Sequence, residues 1–299
     1  MFEILIKISG IVLPVFVLLT MFNVGLTQKP RDIMGYLRDG NFALRMLVAN
    51  FILAPLLMWL MLQFFPIDPY LRVGLAIFSL CAGAPFLIKL TQLSEHDLAL
   101  GASTMIILVL ATVIIVPLLL PLLMPQIAID GGTIAWTLLK QLILPIVVGM
   151  LLAKVLPKLI RSVQPWVARI GNWTLYILLI STLVGYFPET KEMVGQGAIL
   201  IGVVFILGAF GIGYLLGGRN KEDHLQDIGA LGTAQRNTAA SMIIAAQNFS
   251  DQPEVLVIIT IANSLGIAIL LAIARFLSKD NKVGIYTYRQ TPQAEARRV

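Results

Sequence analysis

Long apolar runs separated by short polar connections dominate this chain. About nine of these runs approach the ~20 residues that a helix needs to cross a bilayer. They lie at 4–27, 41–65, 70–94, 97–124, 132–155, 164–186, 193–217, 225–247 and 253–278. The pattern predicts an all-α integral membrane protein with about nine transmembrane helices. Residues 1–278 are expected to form a single transmembrane unit, and the polar tail 279–299 is expected to be cytoplasmic and disordered.

Composition and charge agree with this class. Hydrophobic residues make up 58% of the chain and charged residues 13%, whereas soluble domains hold about 25% charged residues. The net charge of +6 is concentrated in a few connections, which indicates membrane topology rather than nucleic-acid binding. The cations follow the first, fifth, seventh and ninth runs. This distribution predicts an outside N-terminus and a cytoplasmic C-terminus, with the bacterial inner membrane as the expected location.

Two of the apolar runs are interrupted. The third contains Gly83 and Pro85, and proline breaks or kinks a helix. The eighth contains two glycines and four consecutive polar residues, so it cannot face lipid. We assign its break to Gly232. The two runs lie five runs apart and so have opposite orientations, which predicts two inverted repeats with a transport site near the bilayer midplane.

Lys89 and Arg236 follow these interruptions, and no acid is expected at comparable depth. An intramembrane charge costs about 2.5–3.5 kcal/mol on insertion scales and usually marks a functional site. Two such cations indicate a membrane protein that handles anions. Two other interpretations stay open: Lys89 reaches the membrane surface, or Arg236 bonds the carbonyls of a broken helix. His96 and His224 are expected to be solvated loop histidines.

Several stretches occur together in an order and spacing that resemble the bile acid:sodium symporter family, across nearly the whole chain. They are 22–30, 49–55, 81–89 with 97–100, 144–149, 211–217 and 235–239. The resemblance implies a divergent bacterial-type member with a panel domain packed against a core domain, in which two discontinuous helices cross. The panel would contain 4–27, 132–155 and 164–186, and the core 41–124 and 193–278.

The resemblance also implies where sodium ligands would lie. The equivalent positions here are Asn50, Lys89, Gly101, Met105, Gly232 and Arg236. Hard cations need oxygen ligands, and most of these residues do not offer them. Gly232 replaces a shared acid, while Lys89 and Arg236 place covalent positive charge at the ion positions. Sodium is therefore not expected as a partner.

The sequence thus predicts a sodium-independent secondary transporter of small organic anions, namely carboxylates that include bile-acid-like acids, working by alternating access. Its expected partners are the anion and the lipid bilayer, without nucleic acid. The expected substrate-binding residues are Arg236, Lys89, Asn237, Thr238 and Gln235. No catalytic residue, cofactor or metal site is predicted, so an enzyme is not expected.

Three alternatives are open. One is a non-transporting anion receptor or sensor, and another is a sodium- or proton-coupled symporter. The third, an arsenite-type carrier, is disfavoured because Phe86 stands where a thiol is expected.

Overall fold

The computed structural model describes residues 2–28, 40–123, 130–185, 187, 197–218 and 225–288. All regular elements in these ranges are helices. In chain order they are α1 (Phe2–Thr27), α2 (Gly40–Val48), π1 (Ala49–Leu53), α3 (Ala54–Phe64), α4 (Pro69–Leu80), α5 (Phe86–Leu93), α6 (Leu98–Leu123), α7 (Gly131–Leu138), π2 (Leu139–Ile143), α8 (Leu144–Val155), α9 (Pro157–Gly185), α10 (Ala198–Gly217), α11 (Leu225–Ala234), α12 (Thr238–Asn248) and α13 (Pro253–Tyr288).

The helices confirm a membrane protein by length and composition. Six continuous helical stretches among the described residues are long and apolar enough to cross a bilayer. Two boundaries differ from the sequence prediction. Helix α9 begins at Pro157 rather than 164, because proline is well suited to the first turn of a helix. Helix α13 continues to Tyr288 rather than ending at 278, and residues 289–299 of the predicted tail lie outside the described residues.

Two of the spans contain a wide π turn directly before a proline. π1 precedes Pro55, and π2 precedes Pro145. Proline lacks the N–H that would bond to the carbonyl four residues earlier, and its ring crowds that carbonyl. The helix widens by one residue at each place and continues with little interruption.

Helix α1 packs along α8 and α9. Gly25 and Gly149 allow α1 and α8 to touch: a Cβ on Gly25 would lie 2.1 Å from the Ile146 carbonyl oxygen. Nε2 of Gln164 donates to Oδ1 of Asn23 at 2.9 Å between α9 and α1. We call α1, α7, π2, α8 and α9 the first helix group.

The second helix group contains α2 to α6 and α10 to α13. Within it α10 packs on α11, and α13 packs on α4, α5 and α12. The two groups touch where α6 meets α7, α1 meets α12 and α9 meets α13. The buried hydrophobic residues form a large cluster that includes members of both groups.

Candidate functional site at the crossing of two broken helices

The third apolar run is broken between α4 and α5. Residues Cys81–Ala84 are non-helical, and the chain turns at Gly83, where φ is +77°. A Cβ at Gly83 would lie 2.3 Å from the backbone nitrogen of Val109, so only glycine fits both the backbone angle and the space. Pro85 then leads into α5. Gly83 and Pro85, where the sequence predicted the break, thus lie between α4 and α5.

The eighth apolar run is broken between α11 and α12, at Gln235–Asn237. Asn237 caps α12, since its Oδ1 accepts from the backbone N–H of Ala240 at 3.1 Å. The predicted break at Gly232 is wrong, because this residue lies inside α11. Neighbouring packing holds the glycine in the helix despite its low helix propensity.

The two interruptions contact each other, and we call Cys81–Pro85 together with Gln235–Asn237 the crossing. The backbone N–H of Asn237 donates to the Cys81 carbonyl at 2.9 Å. The Nδ2 of Asn237 donates to the Gly83 carbonyl at 3.0 Å. Asn237 is fully buried. Its side chain caps α12 and satisfies the Gly83 carbonyl, while its backbone N–H satisfies the Cys81 carbonyl.

Thr112 on α6 stabilises the first break from behind. Its Oγ1 donates to the Ala82 carbonyl at 2.9 Å and accepts from the Ala82 N–H at 3.0 Å. Both backbone groups of a non-helical residue therefore have a partner within a buried region. Unwound backbone at membrane depth requires such protein partners.

Arg236 lies at the centre of the crossing with 1% of its surface exposed. Its guanidinium donates to four oxygen atoms from three segments. Nη1 bonds Oδ1 of Asn50 at 2.8 Å and the Thr233 carbonyl at 2.9 Å. Nη2 bonds the Ser79 carbonyl at 2.5 Å and the Asn50 carbonyl at 3.3 Å.

These oxygens are neutral, but their positions suit a cation. The Ser79 and Thr233 carbonyls belong to the last turns of α4 and α11, where helix dipoles concentrate partial negative charge. Asn50 belongs to π1 and is fixed by its Nδ2, which donates to the Met46 carbonyl at 2.9 Å and to Thr233 Oγ1 at 3.1 Å. The positive charge thus joins two half-helix ends to a third helix.

Several positions where the resemblance implies sodium ligands are occupied by other groups in this structure. The guanidinium of Arg236 already takes both the Asn50 side-chain oxygen and the nearby carbonyls. A Cβ at Gly232 would lie 3.3 Å from a methyl carbon of Leu87 and 3.4 Å from the Thr104 methyl carbon, so an acid there would first meet apolar atoms.

The two positions on α6 lack a side-chain oxygen. A Cβ at Gly101 would lie 2.3 Å from Oγ1 of Thr91, and Met105 is fully buried. Neither side chain offers the oxygen ligand that a hard cation prefers.

The remaining predicted site residues differ in their exposure. Gln235 is buried, with its Nε2 donating to the Arg236 carbonyl at 3.3 Å. Thr238 is half-buried at the start of α12, and its hydroxyl donates to Oδ1 of Asn263 on α13. Lys89 lies on α5 shortly after the first break and is exposed, so it is not enclosed with Arg236. Its predicted contact with a substrate stays a prediction.

The sequence analysis expected His96 to be a solvated loop histidine, and this expectation is wrong. Its side chain is buried; Nε2 lies 2.9 Å from Oδ2 of Asp227, and Nδ1 lies 2.7 Å from the Ser94 carbonyl. The contact joins the α5–α6 connection to the first turn of α11. Sequence position alone did not show that these two edges meet. His224 lies outside the described residues.

Sequence reasoning missed several partners of the crossing, among them Ser79, Thr112, Thr233 and Asn263. Thr112 and Thr233 use their hydroxyl groups, and a hydroxyl residue within a membrane span is a signal that could have marked both as bonding to another segment. The contribution of Ser79 is its carbonyl oxygen, which no side-chain pattern reveals.

Comparison with known proteins identifies a family. The model of the sodium bile acid symporter family matches residues 14–204. Among named relatives, the chain is 24% identical over 242 residues to the probable sodium/metabolite cotransporter BASS6, chloroplastic, of Arabidopsis thaliana, covering 77% of this chain and 59% of the relative.

Two rice proteins match at a similar level. Identity is 23% over 197 residues to the probable sodium/metabolite cotransporter BASS2, chloroplastic, of Oryza sativa subsp. japonica, covering 66% of this chain and 47% of the relative. Identity is also 23%, over 242 residues, to the probable sodium/metabolite cotransporter BASS5, chloroplastic, of Oryza sativa subsp. indica, covering 77% of this chain and 60% of the relative. The chain therefore spans about half to three fifths of the length of these relatives. Because the family model covers most of the chain, this protein belongs to the sodium bile acid symporter family, a family of transporters rather than enzymes.

Proposed function

We propose that this protein transports small organic anions, chiefly carboxylates, by alternating access without sodium. The guanidinium of Arg236 serves as a permanent cation at the crossing. The related proteins, by contrast, are named as sodium cotransporters. The observation that supports this most is the set of four oxygen atoms around one buried guanidinium.

An arginine is suited to this place for a physical reason. Two half-helix C-terminal ends and the Asn50 oxygens form a region of partial negative charge, which requires a positive partner to be stable. A sodium ion would meet this requirement only when bound. A guanidinium meets it permanently, because arginine stays protonated at any accessible pH. The crossing would then be assembled without waiting for an ion.

Alternating access requires two bodies that can move relative to each other. The first helix group supports the proposed panel (4–27, 132–155 and 164–186), and the second supports the proposed core (41–124 and 193–278). We propose nine spans in two inverted repeats, an outside N-terminus, and a bacterial inner-membrane location. Sliding of the crossing past the panel would expose it to each side in turn.

The substrate anion is proposed to contact the crossing from its accessible side. Lys89 is exposed and Thr238 is half-buried. Thr238 starts α12, where the helix dipole favours an anion. Asn237 and Gln235 border this position but are buried, with their amides bonded to backbone. Arg236 would act through its charge rather than by direct contact in the conformation seen here.

A sodium-coupled symporter is the second candidate. It is favoured by the names of the relatives described above, which are all probable sodium/metabolite cotransporters. Against it stands the repulsion between a buried guanidinium and a sodium ion at close range, about 4 kcal/mol at 4 Å and an effective dielectric near 20.

Uptake by purified protein in proteoliposomes separates the candidates. Labelled mono- and dicarboxylates are supplied in matched sodium and choline buffers, with wild type, Lys89→Gln and the control Lys154→Gln, an exposed lysine on α8. The proposal predicts equal uptake in both buffers and a loss only in Lys89→Gln. A steep sodium requirement would establish the symporter. Saturable binding without flux would identify a receptor.

A further inference from the structure

A third cation lies deep within an apolar span, and the sequence prediction overlooked it. Lys140 is the tenth residue of the 25-residue apolar stretch Gly131–Val155, about 14 Å along the helix from its start at 1.5 Å per residue. The side chain is exposed on the protein surface. An intramembrane lysine is costly and by default marks a site.

Lys140 lines a cavity of about 350 Å³ between α1 and π2. The other lining residues are Pro14, Val15, Leu18 and Gln141. None of them belongs to the crossing. The volume falls within the range of small-molecule sites, and Val15 and Leu18 give it an apolar wall beside the ammonium.

The backbone at this place also departs from a regular helix. Gln141 lies within π2, and Pro145 cannot donate the N–H that an α-helix would direct to the Gln141 carbonyl. The cavity thus combines a cation, an amide and a locally widened backbone. Such a mixture is typical of a ligand site in which a few polar groups fix the orientation of an apolar ligand.

The charge of Lys140 has an aromatic neighbour. Its Nζ lies 4.7 Å from the ring centroid of Trp136, one turn earlier, which is a cation–π contact. Within the part of the chain that the structure describes, Lys140 has no ion-pair partner. An aromatic face leaves the N–H donors of the ammonium free to bind an anion.

We propose that this cavity binds an amphipathic anion, with its carboxylate or phosphate on Lys140 and its aliphatic body against Val15 and Leu18. The anion would neutralise a charge that otherwise lies uncompensated at membrane depth. The inference is independent of transport at the crossing, since it concerns binding at a different place. If Lys140 merely extends along Trp136 toward the membrane surface, no such ligand binds.

Trp136 provides a direct reporter of binding. The chain has four tryptophans, and replacing Trp59, Trp166 and Trp173 by phenylalanine leaves Trp136 alone. This protein, in phosphatidylcholine nanodiscs, is titrated with decanoate and with decanol, which has the same chain without the charge. We expect a saturable change in Trp136 fluorescence with decanoate only, after subtraction of empty nanodiscs.

Substitutions in the cavity test whether the change in Trp136 fluorescence comes from binding at Lys140. Lys140→Gln should weaken decanoate binding by about tenfold or more, whereas Lys140→Arg and the control Lys154→Gln should bind as the parent does. Val15→Phe, which keeps the charge and fills the cavity, should also weaken binding and guards against misfolding of Lys140→Gln. Equal responses to decanoate and decanol, or unchanged binding in both Lys140→Gln and Val15→Phe, would overturn the proposal.

The source of the anion is tested with phosphatidylglycerol nanodiscs. A Lys140-dependent change in Trp136 emission without decanoate, together with blocked decanoate binding, would identify a lipid phosphate as the occupant. Decanoate binding that is the same in both lipids would identify a free organic acid. Both results support an anion on Lys140.

Discussion

Replacing Arg236 by glutamine removes the charge that joins three segments of the crossing. Four oxygen atoms lose their shared donor, namely those of Asn50, Ser79 and Thr233 described above. A glutamine amide is shorter and has two donors, so it can satisfy at most two of the four. Arg236→Lys keeps the charge but loses the planar fork, and we expect it to be intermediate.

The expected loss of stability in Arg236→Gln is the difference between the lost hydrogen bonds and the recovered desolvation free energy. Hydrogen bonds to charged groups contribute about 1.5–3 kcal/mol each, which gives roughly 6–12 kcal/mol for the four. Removing the buried charge returns several kcal/mol of desolvation free energy. We expect a net loss of about 3 kcal/mol in the free energy of unfolding. At about 2–4 °C per kcal/mol for a chain of this order of size, the Tm should fall by about 6–12 °C.

The single cysteine of the chain makes the measurement simple. Cys81 is fully buried in the crossing, so a thiol-reactive fluorophore labels it only when this region opens. Melting curves are compared for wild type, Arg236→Gln, Arg236→Lys and Arg275→Gln, an exposed arginine on α13. Equal Tm values for Arg236→Gln and Arg275→Gln would show that the four bonds do not stabilise the crossing.

Three further predictions use the same thiol assay. Gly83→Ala forces a side chain into a φ of +77° beside the Val109 backbone, so it should lower the free energy of unfolding by about 3 kcal/mol or more. The control Gly10→Ala, with nothing within 4 Å of its Cβ, should leave the free energy of unfolding unchanged. Thr112→Val loses both bonds to Ala82 and should cost about 2 kcal/mol; a melting curve that matches wild type would refute its clamping role. Lys89→Gln should leave the unfolding free energy within about 0.5 kcal/mol, because the side chain is exposed, yet reduce carboxylate uptake; unchanged uptake would remove Lys89 from the site.

The helices were predictable from the chain because apolar runs and prolines act locally. The bounds of α6, of α10 and of the continuous stretch from α7 to α8 (Gly131–Val155) differ from the predicted runs by a few residues, since a bilayer-length apolar run has few alternatives to a helix. The break at Gly83 and Pro85 was also predictable, because both residues restrict the backbone directly. The second break was misplaced to Gly232, because neighbouring helices keep that glycine helical.

The groups that bond to Arg236 and Asn237 were less predictable than these two residues themselves. Arg236 and Asn237 were identified from charge and polarity within an apolar run. Their partners include the carbonyls of Ser79 and Cys81, which any residue type could supply. Depth judged from sequence also failed to separate buried Arg236 from exposed Lys89, because burial depends on which helix face meets a neighbour.

Sodium binding to the purified protein tests most directly whether Arg236 replaces the ion. Equilibrium binding of radioactive sodium is measured for wild type and for Arg236→Ala, which removes the guanidinium and leaves the Asn50, Ser79 and Thr233 oxygens facing a vacant space. The account predicts no saturable sodium binding by wild type, and a gain of binding or of sodium-dependent Tm in Arg236→Ala. Saturable sodium binding by wild type that Arg236→Ala leaves unchanged would contradict it.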